Sequence, residues 1–149
     1  MATAGYSGKP LAQKLGVKAD DIVRPIGAPG HYATLLEPLP EGARLDVGAK
    51  DAAIVHAFVR SVRELETLGP GLVALPASGG AIWISWPKKS SALFVDLTED
   101  GVRRVMLPTG WVDVKVCAVD VDWSGLKFLR RRRPPSPASP VLPPEGGEG

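Results

Sequence analysis

The sequence predicts an α/β protein of three layers, a mostly parallel sheet covered by helices on both faces, with an antiparallel hairpin at its C-terminal end. Three observations lead there. The runs Ala52–Val59 and Ala81–Trp86 are nearly all apolar, as strands buried on both faces are. The segments that follow each run carry helical spacing and helix-start residues. The last structured stretch holds two strand-like runs separated by a few turn residues, which suits a hairpin.

The elements follow in order. Ser7-Gly8-Lys9-Pro10 opens a short helix, with Ser7 as cap and Pro10 in the first turn. Leu11 and Leu15 share one face, and Gly16 stops the helix. Asp21–Ile26 reads as a strand that ends in the turn Gly27-Ala28-Pro29-Gly30. Pro25 conflicts with a central strand because it donates nothing to a ladder, so the strand is bulged or shorter. His31–Glu37 predicts a short helix before Pro38 and Pro40, and Ala43–Val47 a weak strand. Only a few residues join that strand to Ala52–Val59, whereas a parallel crossover takes about a dozen. The weak strand is therefore antiparallel, displaced to an edge, or not a strand.

Ser61-Val62-Arg63-Glu64 is a capping box, with Leu65 and Leu68 continuing the apolar face. Gly69-Pro70-Gly71 is expected to interrupt this helix, with one more turn over Leu72–Leu75. Gly79-Gly80 leads into the strand Ala81–Trp86, which stops at Pro87, and Lys88-Lys89-Ser90-Ser91 is a loop. Thr98 caps a helix carrying Val102, Val105 and Met106, ended by Pro108 and Gly110. In Val112–Val119, Asp113 and Lys115 alternate with Val112, Val114 and Val116, as a half-exposed strand requires. Asp120–Gly125 joins it to Leu126–Leu129.

The 149 residues fit one domain, residues 1–130, followed by an Arg/Pro-rich tail over 131–149. Six of the 15 prolines fall after Arg133, a composition expected to stay disordered. The formal net charge of +2 resides in the four arginines Arg130–Arg133 against Glu145 and Glu148. Residues 1–129 hold 14 basic and 14 acidic residues, which argues against a dedicated nucleic-acid-binding face and leaves only weak tail contacts. The segment Pro137-Ala138-Ser139-Pro140 fits the spacing of polyproline ligands, so a protein partner for the tail stays open. No apolar run approaches the roughly 20 residues of a membrane span. Met1–Gly8 lacks the basic-then-apolar pattern of a secretory signal. One cysteine, Cys117, and two histidines, His31 and His56, provide neither a disulfide nor a zinc set. A cytoplasmic location is expected.

The strand and helix plan resembles the core of class I methyltransferases, a Rossmann-like fold. Leu75-Pro76-Ala77-Ser78-Gly79-Gly80-Ala81-Ile82-Trp83 is similar to a helix-end, glycine-pair, strand segment of those enzymes, and the final hairpin is similar too. A second resemblance covers more of the chain. Gly5-Tyr6-Ser7-Gly8 with Pro10-Leu11-Ala12, Trp86–Ser91, Asp96–Glu99, Val112–Asp120 and Trp123–Phe128 resemble domain-of-unknown-function family 3052, small bacterial proteins. That resemblance implies a cytoplasmic protein and brings no activity to transfer. Pro25, Gly69-Pro70-Gly71 and the tail depart from its pattern.

Three constellations could carry chemistry. Gly27 and Gly30, followed by His31, form a glycine turn after the first strand, where a nucleotide or S-adenosylmethionine would approach bare backbone. The alternative is a tight turn. The acidic partner expected after the second strand has no clear counterpart, since neither Asp46 nor Asp51 sits at an evident strand end. Trp86, Lys88, Lys89, Ser90 and Ser91 lie beyond a strand's carboxyl end, where ammonium and hydroxyl groups could take a phosphate or carboxylate and the indole could stack on a ring. The alternative is a solvated loop beside a core tryptophan. Asp120 and Asp122 could hold a cation or move a proton, but Asp120–Gly125 reads better as a turn. His56, inside an apolar strand, reads as a buried, hydrogen-bonded histidine, and Cys117 as a small hydrophobe. No catalytic residue and no metal ligand is assigned. The leading expectation is a non-catalytic or degenerate methyltransferase-like binding protein. The competing one is an active small methyltransferase, or another enzyme acting on an anionic substrate.

Overall fold

The computed structural model describes residues 10–131. Ser7 and nearly all of the expected tail lie outside the described residues. The elements run α1 (Leu11–Leu15), β1 (Ile22–Ile26), α2 (Tyr32–Leu35), β2 (Arg44–Leu45), β3 (Ala52–Phe58), α3 (Val62–Leu72), β4 (Pro76–Pro87), α4 (Glu99–Met106), β5 (Trp111–Ala118) and β6 (Trp123–Arg130). One six-stranded sheet has the order β2-β1-β3-β4-β6-β5. Strands β2, β1, β3 and β4 are parallel, and β6 is antiparallel to both β4 and β5. This is the three-layer α/β architecture expected, with the hairpin at the end.

Two cores sandwich the sheet. On one face, Leu65 and Leu72 of α3 and Val102 and Met106 of α4 pack on Val55, Ile82, Ile84, Trp86, Leu126 and Phe128. On the other, Leu11 and Leu15 of α1 and Tyr32 of α2 pack on Val23, Ile54, Phe58, Trp83 and Trp123. Burying a leucine- or phenylalanine-sized side chain contributes about 1.5–3 kcal/mol, so these paired faces decide the layering.

Local signals that prove correct include both longer helix starts. Ser61 accepts the Glu64 N–H at 3.0 Å, and Thr98 accepts the Gly101 N–H at 3.2 Å. Glu64 reaches back one residue further than a capping box requires, accepting the Arg60 N–H at 2.8 Å. Gly16 ends α1 in the left-handed conformation, with φ +87°. The residue before the first helical turn is Pro10, not Ser7, which shortens α1 to five residues.

Several expectations need correction. Gly69-Pro70-Gly71 does not interrupt α3; the helix runs to Leu72 with Pro70 inside it and exposed. Gly69 is buried against α4, where a β-carbon would lie 3.6 Å from Val105, an ordinary packing distance. Pro25 sits inside β1, paired with β3 at His56. Its missing N–H costs no ladder bond. The Val23 carbonyl accepts from Asp46, so the odd residues of β1 point their backbone toward β2, and β2 has ended before the level of Pro25.

Strand β2 is displaced to the edge, one of the outcomes expected, and it is parallel. Residues 46–51 bridge β2 and β3, a connection about half the usual crossover. Both strands pair with β1 at Val23, so the link crosses the sheet without climbing its height. It lies flat on β1: Ala49 joins the core, and the Arg24 guanidinium donates to the Ala49 carbonyl.

Two irregularities redirect side chains. Ala52 pairs with Pro76 but Ile54 with Ala81, so residues 77–80 loop out near the start of β4, with Gly79 at φ +79°. In β5, Val114 is inserted opposite the step from Phe128 to Lys127. A bulge reverses the facing of every residue after it. Asp113, before the bulge, faces α4, where Arg103 Nε donates to its carboxylate at 2.9 Å, while Lys115, after it, shares the opposite face with Lys127. The simple alternation of Val112, Val114 and Val116 against Asp113 and Lys115 is not what forms; Val114 and Val116 are each 51% exposed. Trp123, Ser124 and Gly125, expected in the connecting turn, belong to β6.

Candidate functional site

In open α/β sheets, ligands bind beyond the carboxyl ends of the strands, where the strand order reverses. Here that point lies between β1 and β3. Three loops meet on this rim: the glycine turn 27–31 after β1, the loop 88–97 after β4, and the turn 119–122 before β6.

The three are tied by side chains. His31 Nε2 lies 3.0 Å from Asp120 Oδ2, joining the first loop to the third. Asp120 Oδ1 accepts the N–H groups of Asp122 and Trp123 at 2.8 and 2.9 Å, so the turn preferred for this segment is what forms. Ser91 Oγ donates to Asp122 Oδ1 at 2.8 Å, and the Lys88 N–H donates to the Asp122 carbonyl at 2.8 Å, joining the second loop to the third. Asp120 is nearly buried, whereas the His31 side chain is 55% exposed. An imidazole oriented by a sheltered carboxylate can accept and return a proton.

The structure places each expected residue. Gly27 has φ +67°, and a β-carbon there would fall 2.9 Å from the Phe58 carbonyl oxygen. The glycine thus allows the β1 end to close on the β3 end. A β-carbon at Gly30 would meet nothing within 4 Å, so the backbone there faces open space. Lys89 and Ser90 are exposed, and Lys88 and Ser91 partly so. Trp86 is 5% exposed and belongs to the core cluster under α3 and α4, not to the open rim.

Asp46 stands just past the carboxyl end of β2, the position at which this fold calls for an acidic residue. Its carboxylate is already engaged, by the Gly48 N–H at 3.0 Å and by Arg44 at 3.1 Å. These donors hold it below the usual carboxylate range, Gly48 most of all. The sequence offers Asp46 as a candidate but does not show it at a strand end, because a two-residue strand has no readable boundary.

Beneath the rim lies a polar relay inside an apolar layer. His56 is fully buried; its Nδ1 lies 2.8 Å from Tyr32 Oη and its Nε2 2.7 Å from Ser85 Oγ. One ring nitrogen donates and the other accepts, so a neutral imidazole satisfies both hydroxyls. Burial depresses the His56 pKa to about 3 and raises that of Tyr32 well above its ordinary value. The ring stacks on Phe58 at 4.3 Å, and Phe58 meets Trp123 edge-on at 5.0 Å. His56 is thus the buried, hydrogen-bonded histidine expected. Burial also raises the Cys117 thiol, in keeping with a small hydrophobe. Among the described residues, no three His, Cys, Asp or Glu side chains converge as metal ligands, and no helix is long and apolar enough to cross a membrane.

Solved structures share this architecture. A SAM-dependent methyltransferase from Aquifex aeolicus superposes with a TM-score of 0.62 at 12% identity, over 83% of this chain and 89% of its own. The N-methyltransferase NodS from Bradyrhizobium japonicum, in complex with S-adenosyl-L-homocysteine, gives 0.53 at 12% identity, over 83% of each chain. Aeropyrum pernix fibrillarin, with natively bound S-adenosyl-L-methionine, gives 0.55 at 12% identity, over 84% of this chain and 70% of its own. The fold is therefore methyltransferase-like, a Rossmann-like α/β sheet with SAM-dependent methyltransferases as structural neighbours. No family model matches the chain, and no curated protein does. The likeness to domain-of-unknown-function family 3052 rests on the sequence strings alone.

Proposed function

We propose that this protein is a binding domain on a methyltransferase-like fold whose adenosylmethionine pocket has been dismantled, with the carboxyl rim as its ligand face. The connection 46–51 carries this reading. In the doubly wound plan a further strand stands outside β2 in the same sheet, and helices on the sheet faces join the strands. Six residues lying flat on β1 leave no chain for either, and so no wall for an adenosine.

Two further observations support it. Gly27 is accounted for by the turn itself, since a β-carbon there would fall 2.9 Å from the Phe58 carbonyl oxygen, so this glycine need not serve a cofactor. The Asp46 carboxylate, at the place where ribose hydroxyls would be held, is turned into a local network by Gly48 on one oxygen and Arg44 on the other. These residues do not fit adenosylmethionine. The remaining ligand groups are the Gly30 backbone and His31 on one side, and Lys88, Lys89, Ser90 and Ser91 on the other. Membership of family 3052 and a cytoplasmic location are part of the same proposal.

Thermal unfolding of the full chain tests it. No shift is expected with S-adenosylmethionine or S-adenosylhomocysteine. A saturable rise of several degrees with either would overturn the reading, since a ligand that binds only the folded state must stabilise it.

The His31–Asp120 pair favours a second reading, an enzyme that moves a proton at the rim of an anionic substrate. In that case His31→Gln would abolish turnover with the fold intact, while Lys88→Ala with Lys89→Ala would weaken substrate binding.

A further inference from the structure

A cavity also opens at the opposite end of the sheet. It lies on the α1 side, where β1, β3 and β4 begin, and has a volume of about 340 Å³. That volume is at the small end of the range for ligand pockets, about 300–1,000 Å³. Buried Leu15 and Ile54 form its floor. The looped-out segment 77–80 forms one wall, and a β-carbon at Gly79 would meet nothing within 4 Å, so backbone is accessible there.

The charges around it are unbalanced. Lys18 and Lys127 line the cavity, and Lys127 Nζ lies 3.4 Å from where a β-carbon of Gly16 would be. The bulge at Val114 sets Lys115 directly opposite Lys127 in the ladder, on the same face. Like charges so placed destabilise a sheet. Among the described residues no ion pair holds Lys18, Lys115 or Lys127. Asp21 is the carboxylate on the lining, and it accepts the Lys18 backbone N–H at 2.8 Å. Desolvation first, then Lys115 and Lys18, push the Lys127 pKa down, as expected of an ammonium awaiting a counter-charge.

We propose that this cavity binds a phosphorylated small molecule, its phosphate held by Lys18 and Lys127 in the added field of Lys115, its body resting on Leu15 and Ile54. Three ammonium groups against one carboxylate call for a dianion, which a phosphate monoester supplies and a single carboxylate does not. The site is independent of the carboxyl rim, from which it is separated by the length of the strands.

Calorimetric titration of the full chain at low salt tests this, with inorganic phosphate and ribose 5-phosphate as probes. Saturable binding is expected with a Kd below about 1 mM for ribose 5-phosphate, with inorganic phosphate competing. Lys127→Gln and Lys18→Gln should each weaken it about tenfold or more, and Lys127→Gln should melt no lower than the parent, because it relieves like-charge crowding. The Lys88→Gln, Lys89→Gln double variant should bind as the parent does. The inference is overturned if neither probe saturates, or if binding survives both the Lys18 and Lys127 changes. Loss of binding in the Lys88/Lys89 variant alone would overturn it too, and would place the anion at the carboxyl rim instead.

Discussion

Acidification should destabilise this protein through His56 before its carboxylates titrate. The imidazole is fully buried between Tyr32 and Ser85, and burial holds its pKa at about 3 against 6.5 for an exposed histidine. Below about pH 6.5 the unfolded chain takes up a proton there and the folded one does not. Stability is therefore complete above the unfolded pKa and declines as pH falls, by up to about 1.4 kcal/mol per unit, until the folded pKa is reached. Between pH 7 and pH 5 the loss amounts to about 2 kcal/mol. Urea melts at half-unit pH steps read this as a falling midpoint at constant slope. The control is His56→Gln, whose amide can still donate and accept between the two hydroxyls but cannot titrate. Its midpoint should start lower and stay flatter over that interval. His31 remains in both proteins, so the difference between the two profiles belongs to His56. Parallel profiles for the parent and the variant would refute the assignment of a neutral, desolvated imidazole.

Three further outcomes follow from the packing. Gly27→Ala should cost about 1–3 kcal/mol in denaturant melts, because φ is +67° and the new methyl would press on the Phe58 carbonyl at 2.9 Å. Gly125→Ala should cost about 1–3 kcal/mol by overpacking, since the added carbon would lie 3.2 Å from Ser85, Trp83 and Val119 at once; an unchanged melt would mean that these neighbours can move. Thr98→Ala should remove about 1 kcal/mol by freeing the Gly101 N–H, and Thr98→Ser should restore most of it.

The parts of the fold legible in the sequence share one property: their cause is local. The caps at Ser61 and Thr98, the stop at Gly16, the apolar runs of β3 and β4 and the closing hairpin are each set by residues within a few positions of one another. The errors share the opposite property. Pro70 is tolerated because α3 gains more from packing Leu65, Gly69 and Leu72 than one lost helical bond costs. Pro25 is tolerated because β2 is too short to need its N–H. The Val114 bulge, which leaves Asp113 facing Arg103 and turns Lys115 to Lys127, breaks an alternation that the sequence displays intact.

The candidate site divides in the same way. Gly27, Gly30 and the Lys88–Ser91 loop could be named from their place after predicted strands, and His56 from its apolar surroundings. The partner of His31 could not, since Asp120 lies 89 positions away and only strand order brings the two loops together. Asp46 gained meaning only when β2 proved parallel to β1. Apolar periodicity and capping chemistry thus specify which segments become strands and helices, because those energies act between near neighbours. Which strand lies beside which, whether a cofactor has walls, and where lysines crowd depend on contacts between distant segments, and those are decided only when the two faces of the sheet are buried.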